Sequence, residues 1–437
     1  MLSYSKILIS FLVLFLALAS PTLAKSKDKH SLPPRAMARV DHIVVVMMEN
    51  RSFDHLLGWL PNADGRQTGL SYPAKDGTSH STAPLTAPPT PDYPDYQGCA
   101  HPDPDHSWEG GRIEYDGGKM DGFLLAGSND DYAVGFYGEN DRPFHSALAR
   151  AYTSFDHFFS PILAETFPNR IFVHAAQTDR LTNTLDLSTL PTIWDRLSEK
   201  GVSARYYYSD VSFLWLWGTK YLPISASYEQ FLADAAAGTL PSVAFVEPRF
   251  VGEESGVSGD DHPHADIRVG DAFLAQTFHA VADGPDWGTT VFIVTYDEWG
   301  GFFDHVPPPR AAAPNNSNID PDVVGGKTLL GMRIPVVVAS PFTRGDPANP
   351  RVLHEVFDNT SILKLIEWRW NLKPLTARDA SADVGNLAFA LDLARPDPLV
   401  PELPSPQVPL VLPCQLPPGF DELGLAELNL IAPVLVP

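Results

Sequence analysis

Three uninterrupted apolar runs constrain this chain more than any other feature: "VDHIVVVMME" (40–49), "TTVFIVTYDE" (289–298) and "RIPVVVASPF" (333–342). A strand with one wet face alternates apolar and polar residues, whereas a strand covered on both faces is apolar throughout. Runs of Val and Ile without alternation therefore predict strands inside a parallel sheet, with helices packed on both of its faces. Helical segments are legible between them. "LPTIWDRLSEKG" (190–201) is amphipathic with Gly after its end. "HEVFDNTSILKLIEWRW" (354–370) has Asp358 and Asn359 ahead of an apolar stripe, and "FHSALARAYTSFDHFF" (144–159) has helical spacing. Residues 61–105, rich in Pro, Asp, Thr and Ser, predict a long irregular excursion. Residues 395–437 are Pro-dense and predict an extended arm packed on the surface; no internal repeat is found.

Composition narrows the function classes. A chain of 437 residues that is 44% hydrophobic has one large or two moderate cores. Its formal net charge of -22 disfavours nucleic acid and strongly anionic membranes as main partners, because phosphate groups are bound by Lys and Arg. Zwitterionic lipid or a small phosphate ester remains compatible, and nothing marks an obligate protein partner. The first residues read as an export signal: Lys6, the apolar run "ILISFLVLFLALA" (7–19), and small residues before a cleavage near Ala24. That run is shorter than the roughly 20 apolar residues of a membrane-spanning helix. Residues 1–24 are therefore expected to be a signal peptide and the mature protein to be secreted, extracellular or periplasmic. In such an oxidising compartment Cys99 and Cys414, the only cysteines, are candidates for one bridge between the first third and the tail.

Two of the buried runs end in acid: Glu49 with Asn50, and Asp297 with Glu298. Open parallel sheets bind ligands beyond the carboxyl ends of their strands. Either pair alone could be a solvated strand end. Two pairs after two equally buried strands favour one shared site, where three carboxylates and an amide oxygen suit a divalent cation. In "ILAETFPNRIFVHAAQT" (162–178), Pro168 fits a first helical turn with Thr166 just ahead of it. Thr166 reads either as an ordinary cap or as a nucleophile activated by a metal. His106, His262, His264 and His305 each lie near Asp, and spacing alone does not separate structural, metal, phosphate or acid/base roles. The aromatic stretch "ARYYYSDVSFLWLWG" (204–218) reads as core, or in part as a wall for an acyl chain or quaternary ammonium. Glycosylation sequons occur at Asn50, Asn315 and Asn359; the first conflicts with ligation of a metal.

Together, "DHIVVVMMENRSFDHLLG" (41–58), "GGKMDGF" (117–123), "ETFPNR" (165–170), "DDHPHADIRVG" (260–270) and "TYDEWGGFFDHVPPP" (295–309) resemble the phosphoesterase family of bacterial-type phospholipases C and acid phosphatases, within the alkaline phosphatase-like superfamily. With "NTSILKLIEWRWNL" and "PLTARD", the resemblance runs from residue 41 to about 390. It implies an α/β, alkaline phosphatase-like sandwich: a central, mostly parallel sheet flanked by helices and long loop insertions, with the catalytic domain at 25–394. It implies that Glu49, Asn50, Asp297 and Glu298 hold a divalent metal ion, with Thr166 as nucleophile and metal ligand. His106, His262 and His305 match histidines of the catalytic centre, whereas His264 stands where many members have Pro. The activity implied is that of a secreted phospholipase C releasing diacylglycerol and a phosphorylated head group, with transient contact to the membrane surface. The alternative is a secreted acid phosphatase acting on small phosphomonoesters. A non-catalytic binding protein on the same scaffold is disfavoured, because all five of these site positions are kept together.

Overall fold

In the computed structural model, residues 31–91, 93–253, 255–315, 319–415 and 423–432 are described; the expected signal peptide lies outside them. Eight strands form the main sheet: β1 (His42–Met48), β2 (Thr153–Phe155), β3 (Ala204–Tyr208), β4 (Ser225–Ser227), β5 (Val243–Glu247), β6 (Thr290–Tyr296), β7 (Val337–Ala339) and β8 (Arg351–Leu353). Their spatial order is β8-β2-β7-β6-β1-β5-β3-β4. The two longest apolar runs become the central neighbours β1 and β6, parallel and in register from His42 opposite Thr290 to Met48 opposite Tyr296. Residues 43–48 of β1 and all of β6 are buried, the burial on both faces that absence of alternation requires. β5 and β3 extend the parallel arrangement on the far side of β1.

The helices are α1 (Phe53–Leu57), α2 (Trp108–Tyr115), α3 (Pro143–Ala151), α4 (Thr166–Ala175), α5 (Ile193–Lys200), α6 (Tyr228–Ala237), α7 (Ile267–Ala282) and α8 (Thr360–Trp370). One group packs α3 and α6 on α7; another packs α5 and α8 on α4. This is the α/β sandwich, mostly parallel and flanked by helices, that the resemblance implies. α5 begins with a capping box from Thr192 and Asp195 and stops at Gly201, whose φ of 69° is the left-handed conformation that Gly adopts without strain.

The structure corrects some expectations and agrees with others. The third apolar run, as β7, is buried but runs antiparallel to both β6 and β2. Burial on both faces sets composition, and composition is silent about strand direction. The helix expected over 144–159 ends at Ala151, and Thr153–Phe155 leaves it as β2. The helix expected over 354–370 starts at Thr360, because Phe357–Asp358 pairs with Phe158–Phe159 first. Tyr206, Tyr207, Phe213, Trp215 and Trp217 are core residues rather than a cavity wall. Asn50 and Asn359 are buried, which removes them as glycosylation sites, and part of the sequon at Asn315 lies outside the described residues. Residues 61–105 are largely irregular, with the small hairpin Ser71–Pro73/Ser79–Ser81. Cys99 and Cys414 form a disulfide with Cα atoms 5.2 Å apart. Among its described residues, the Pro-dense arm has no helix or strand over 396–415 and buries Leu425 and Leu428. Among the described residues no helix is long and apolar enough to cross a membrane.

Candidate active site

The registry of β1 and β6 brings their two acidic ends side by side. Asp297 N–H donates to the Met48 carbonyl at 3.2 Å, and the Asn50 N–H donates to Asp297 Oδ1 at 3.0 Å. Asn50 turns the chain out of β1 with φ at 58°, a left-handed conformation that Asn tolerates better than most residues. Gly300, at φ 61°, passes so close that a Cβ there would sit 2.2 Å from the Asn50 carbonyl oxygen. A tight glycine turn after Glu298 is thus part of how the two strand ends fit together.

Thr166 is the first residue of α4, with Glu165 as its N-cap and Pro168 in the first turn. Its Oγ1 lies 3.2 Å from Glu49 Oε1 and 3.2 Å from Asn50 Oδ1. Asn183 Oδ1 accepts the Phe167 N–H at 2.8 Å, which fixes the start of the helix. His106 reaches the same cluster: its Nε2 is 3.3 Å from Asn50 Nδ2 and 3.8 Å from Glu298 Oε1. Since the Pro104 carbonyl, 2.8 Å from His106 Nδ1, can only accept, Nδ1 carries the ring proton of the neutral imidazole and Nε2 accepts from the Asn50 amide. His262 sits on the neighbouring loop, its Nε2 3.4 Å from Asp103 Oδ2 and its carbonyl held by Arg51. Thr166, Glu49, Asn50, His106, His262, Asp297 and Glu298 are all buried.

His305 is placed elsewhere. Its Nδ1 is 2.5 Å from Asp54 Oδ2 and its Nε2 3.3 Å from Asp64 Oδ1, in a network closed by the buried Arg333, which binds Asp54 and Asp304. Burial opposes a proton on His305, but Asp54 outweighs it and raises the pKa. His264 likewise turns aside, its Nε2 3.1 Å from the His101 carbonyl.

Several contributors were not singled out from sequence. Arg170, one helical turn after Thr166, joins three elements: Nε to Asp297 Oδ2 at 2.9 Å, Nη1 to Glu247 Oε1 at 2.6 Å, and Nη2 to the Met48 carbonyl at 3.4 Å. The spacing of four residues from Thr166 was a signal for it. Glu247 ends β5, another continuous apolar run that stops in acid, and so carried the same signal as Glu49 and Asp297. Glu253 and Asp260 meet Glu49 in a buried trio whose carboxylate oxygens, one from each, lie within 4.8 Å of one another. Asp260 opens the "DDHPHADIRVG" motif without being assigned a role by it, whereas nothing in its loop sequence marks Glu253.

The electrostatics follow from burying this much negative charge. Burial and then Asp297 push the Glu49 carboxyl well above its usual range, and burial does the same to Glu298. Burial also raises Asp297, against the pull of Arg170, and Asp260 rises to about 7. Burial, then His264 and His106, hold His262 well below its usual pKa, so the ring is neutral near pH 7. Glu49 Oε2 and Glu298 Oε1 are buried without a hydrogen-bond partner. Acidic groups with orphaned buried oxygens, beside an amide oxygen and a hydroxyl, are able to hold a hard or borderline cation.

The model of the Phosphoesterase family matches residues 40–373. The chain belongs to that family. Among relatives of this phosphoesterase, Non-specific phospholipase C1 of Arabidopsis thaliana is 32% identical over 80% of this chain and 71% of its own length. Phospholipase C B of Mycobacterium tuberculosis is 31% identical over 90% of this chain and 85% of its own. Among solved structures, the lipoteichoic acid synthase LtaP from Listeria monocytogenes superposes with a TM-score of 0.42 at 7% identity, covering 83% of this chain and 80% of that one. The phosphoesterase is a hydrolase of phosphate esters.

Proposed function

We propose that the chain is a secreted phospholipase C that cleaves phosphatidylcholine-like diesters to diacylglycerol and a phosphorylated head group. The observation that carries the reading is Thr166 Oγ1 held at 3.2 Å from both Glu49 and Asn50, beside His106, at the meeting point of two strand ends. The names of the relatives, both phospholipases C, favour a diester over a monoester.

Glu49, Asn50, Asp297 and Glu298, with the Thr166 hydroxyl, are the residues that would hold a divalent metal ion. The orphaned oxygens of Glu49 and Glu298 support the fit. Such an ion lowers the pKa of a bound hydroxyl and offsets charge on phosphoryl oxygens. Thr166 Oγ1 passes its proton to Glu49 Oε1, which accepts its hydrogen bond at 3.2 Å, and attacks phosphorus as the bond to the glyceryl oxygen breaks. His106, whose Nδ1 is fixed by Pro104, or His262 gives a proton to the departing alkoxide; both rings must first be charged to do so. Water then attacks the threonine-bound phosphorus, the histidine now taking the water proton, and the phosphorylated head group leaves as Thr166 Oγ1 recovers its own proton from Glu49. Arg170 keeps Asp297 in place throughout and, through α4, ties the position of Thr166 to both strands. Burial of the cluster excludes bulk water and strengthens every charge interaction within it.

The test is an assay of purified protein on phosphatidylcholine and on p-nitrophenyl phosphate. Release of phosphorylcholine and diacylglycerol is expected; hydrolysis of the monoester alone would select the acid phosphatase, and hydrolysis of neither would sink both.

A further inference from the structure

The Pro-dense arm divides into two unlike halves. The first is tucked in apart from Leu399, which is 75% exposed: the Asp397 N–H donates to the Pro341 carbonyl at 2.7 Å, Trp287 Nε1 to the Pro398 carbonyl at 3.0 Å, and Leu403 is buried. The second turns its largest apolar side chains outward. Val408 is 67% exposed, Leu410 91% and Leu412 71%, while Pro409 and Val411 between them are half-buried. Exposure alternates along 408–412, so these three side chains form one apolar strip.

This strip is not a loose end. Gln97 Nε2 donates to the Leu412 carbonyl at 2.9 Å and to the Gly256 carbonyl at 2.8 Å. The Cys414 N–H donates to the Ser255 carbonyl at 2.8 Å, and the Cys99–Cys414 disulfide adds a covalent pin. The two segments it is pinned to lead directly to the active site. One runs from Cys99 to Asp103 and His106, and the other from Glu253 through Ser255 to Asp260 and His262. A soluble chain gains nothing by fixing three apolar side chains in water beside its catalytic loops, and such exposed patches mark contact surfaces.

We propose that Val408, Leu410 and Leu412 insert into the surface of zwitterionic phospholipid and so seat the catalytic face on its substrate. Charge favours this occupant. Residues 403–415 carry no ionisable side chain apart from the bridged Cys414, so the strip itself repels no neutral interface, while the chain's net charge of -22 opposes anionic lipid. Size argues against a second copy: three side chains offer a few hundred Å², against the roughly 1,200 Å² or more that a specific protein interface buries. Insertion into lipid asks for apolar side chains at the surface and little else. The inference rests on the phospholipid reading of the active site.

The experiment is flotation of the full, oxidised chain with phosphatidylcholine vesicles, comparing wild type, Leu410→Ser and the triple Val408→Ser/Leu410→Ser/Leu412→Ser. Hydrolysis of those vesicles and of a monomeric short-chain phosphatidylcholine is measured alongside. Leu410→Ser is expected to weaken vesicle binding about tenfold and the triple variant further. Vesicle hydrolysis should fall in step, with hydrolysis of the monomeric substrate within twofold of wild type and an unchanged melting temperature. Vesicle binding unaffected by the triple variant overturns the proposal. So does equal loss on both substrates, which would make the strip a support for the site, or sedimentation showing a wild-type dimer that the triple variant dissociates. Flotation needs no turnover, so wild type that binds vesicles through the strip but cleaves neither lipid contradicts the assigned activity and not the docking surface.

Discussion

Replacing Arg170 probes the centre of the molecule most sharply. Its guanidinium is fully buried and makes two charge-assisted hydrogen bonds, 2.9 Å to Asp297 and 2.6 Å to Glu247, besides a longer one to the Met48 carbonyl. Arg170→Met leaves both carboxylates buried without their cation, and breaking a buried pair in this way costs about 3–5 kcal/mol. Arg170→Lys keeps the charge, but an ammonium has no planar fork with which to serve two carboxylates at once. It should lose one charged hydrogen bond, about 1.5–3 kcal/mol. A chain of 437 residues has an unfolding entropy near 0.9 kcal/mol/K, so each kcal/mol shifts the melting temperature by roughly 1 °C. The methionine variant should therefore melt roughly 3–5 °C below wild type and the lysine variant roughly 2–3 °C below, by scanning calorimetry at one fixed rate. A methionine variant within 1 °C of wild type would refute the reasoning, and equal shifts for the two variants would refute the role of the fork.

Thr166→Ala should lower turnover of a soluble phosphodiester by about 10³-fold or more while melting within 1–2 °C of wild type, and Thr166→Ser should keep substantial activity; near wild-type turnover in the alanine variant would remove Thr166 from its role. Exhaustive chelation should abolish hydrolysis and lower the melting temperature, with both restored by a divalent cation; full activity in chelated, metal-free protein, checked by elemental analysis, would contradict the metal assignment. His101 offers a test outside the catalytic cluster. Burial opposes its charge, but hydrogen bonds to Asp130 and Asp95 outweigh burial and raise its pKa to about 10. Since the unfolded value is about 6.5, this contribution is complete below pH ~6.5 and is lost as pH rises through about 10. After solvent screening of a half-buried group it amounts to about 1–2 kcal/mol, so His101→Gln should flatten the fall in melting temperature between pH 7 and pH 10.5; an identical pH profile in the variant would contradict the pairing.

What the sequence disclosed about the fold was what composition encodes. Val44, Val45 and Val46, like Val291 to Val294, are apolar on both faces because both faces are covered, so β1 and β6 were legible. The direction of β7 was not, since Val337 and Val338 meet the same apolar surroundings whether their neighbours run with them or against them. The helix after Phe144 was overextended because Tyr152 to Phe159 are apolar enough to continue a helical stripe, and only tertiary pairing draws Thr153–Phe155 into the sheet. Within the site, Glu49 and Asp297 could be placed together because both follow long apolar strands. Glu253 could not, and Asp260 was visible only as the start of a motif: both arrive from a loop, and a loop carboxylate looks solvated until the fold buries it. His305 shows the converse. It follows Glu298 closely in sequence, yet the turn at Gly300 and Gly301 carries it away to Asp54 and Asp64.

The most direct test of the two-step reaction at Thr166 is stereochemical. A phosphorothioate analogue of phosphatidylcholine, of one configuration at phosphorus, is hydrolysed in isotopically labelled water and the configuration of the product determined. Attack by Thr166 followed by attack of water makes two in-line displacements, so net retention is expected. Net inversion would mean that water attacks the substrate directly, and would contradict a nucleophilic Thr166.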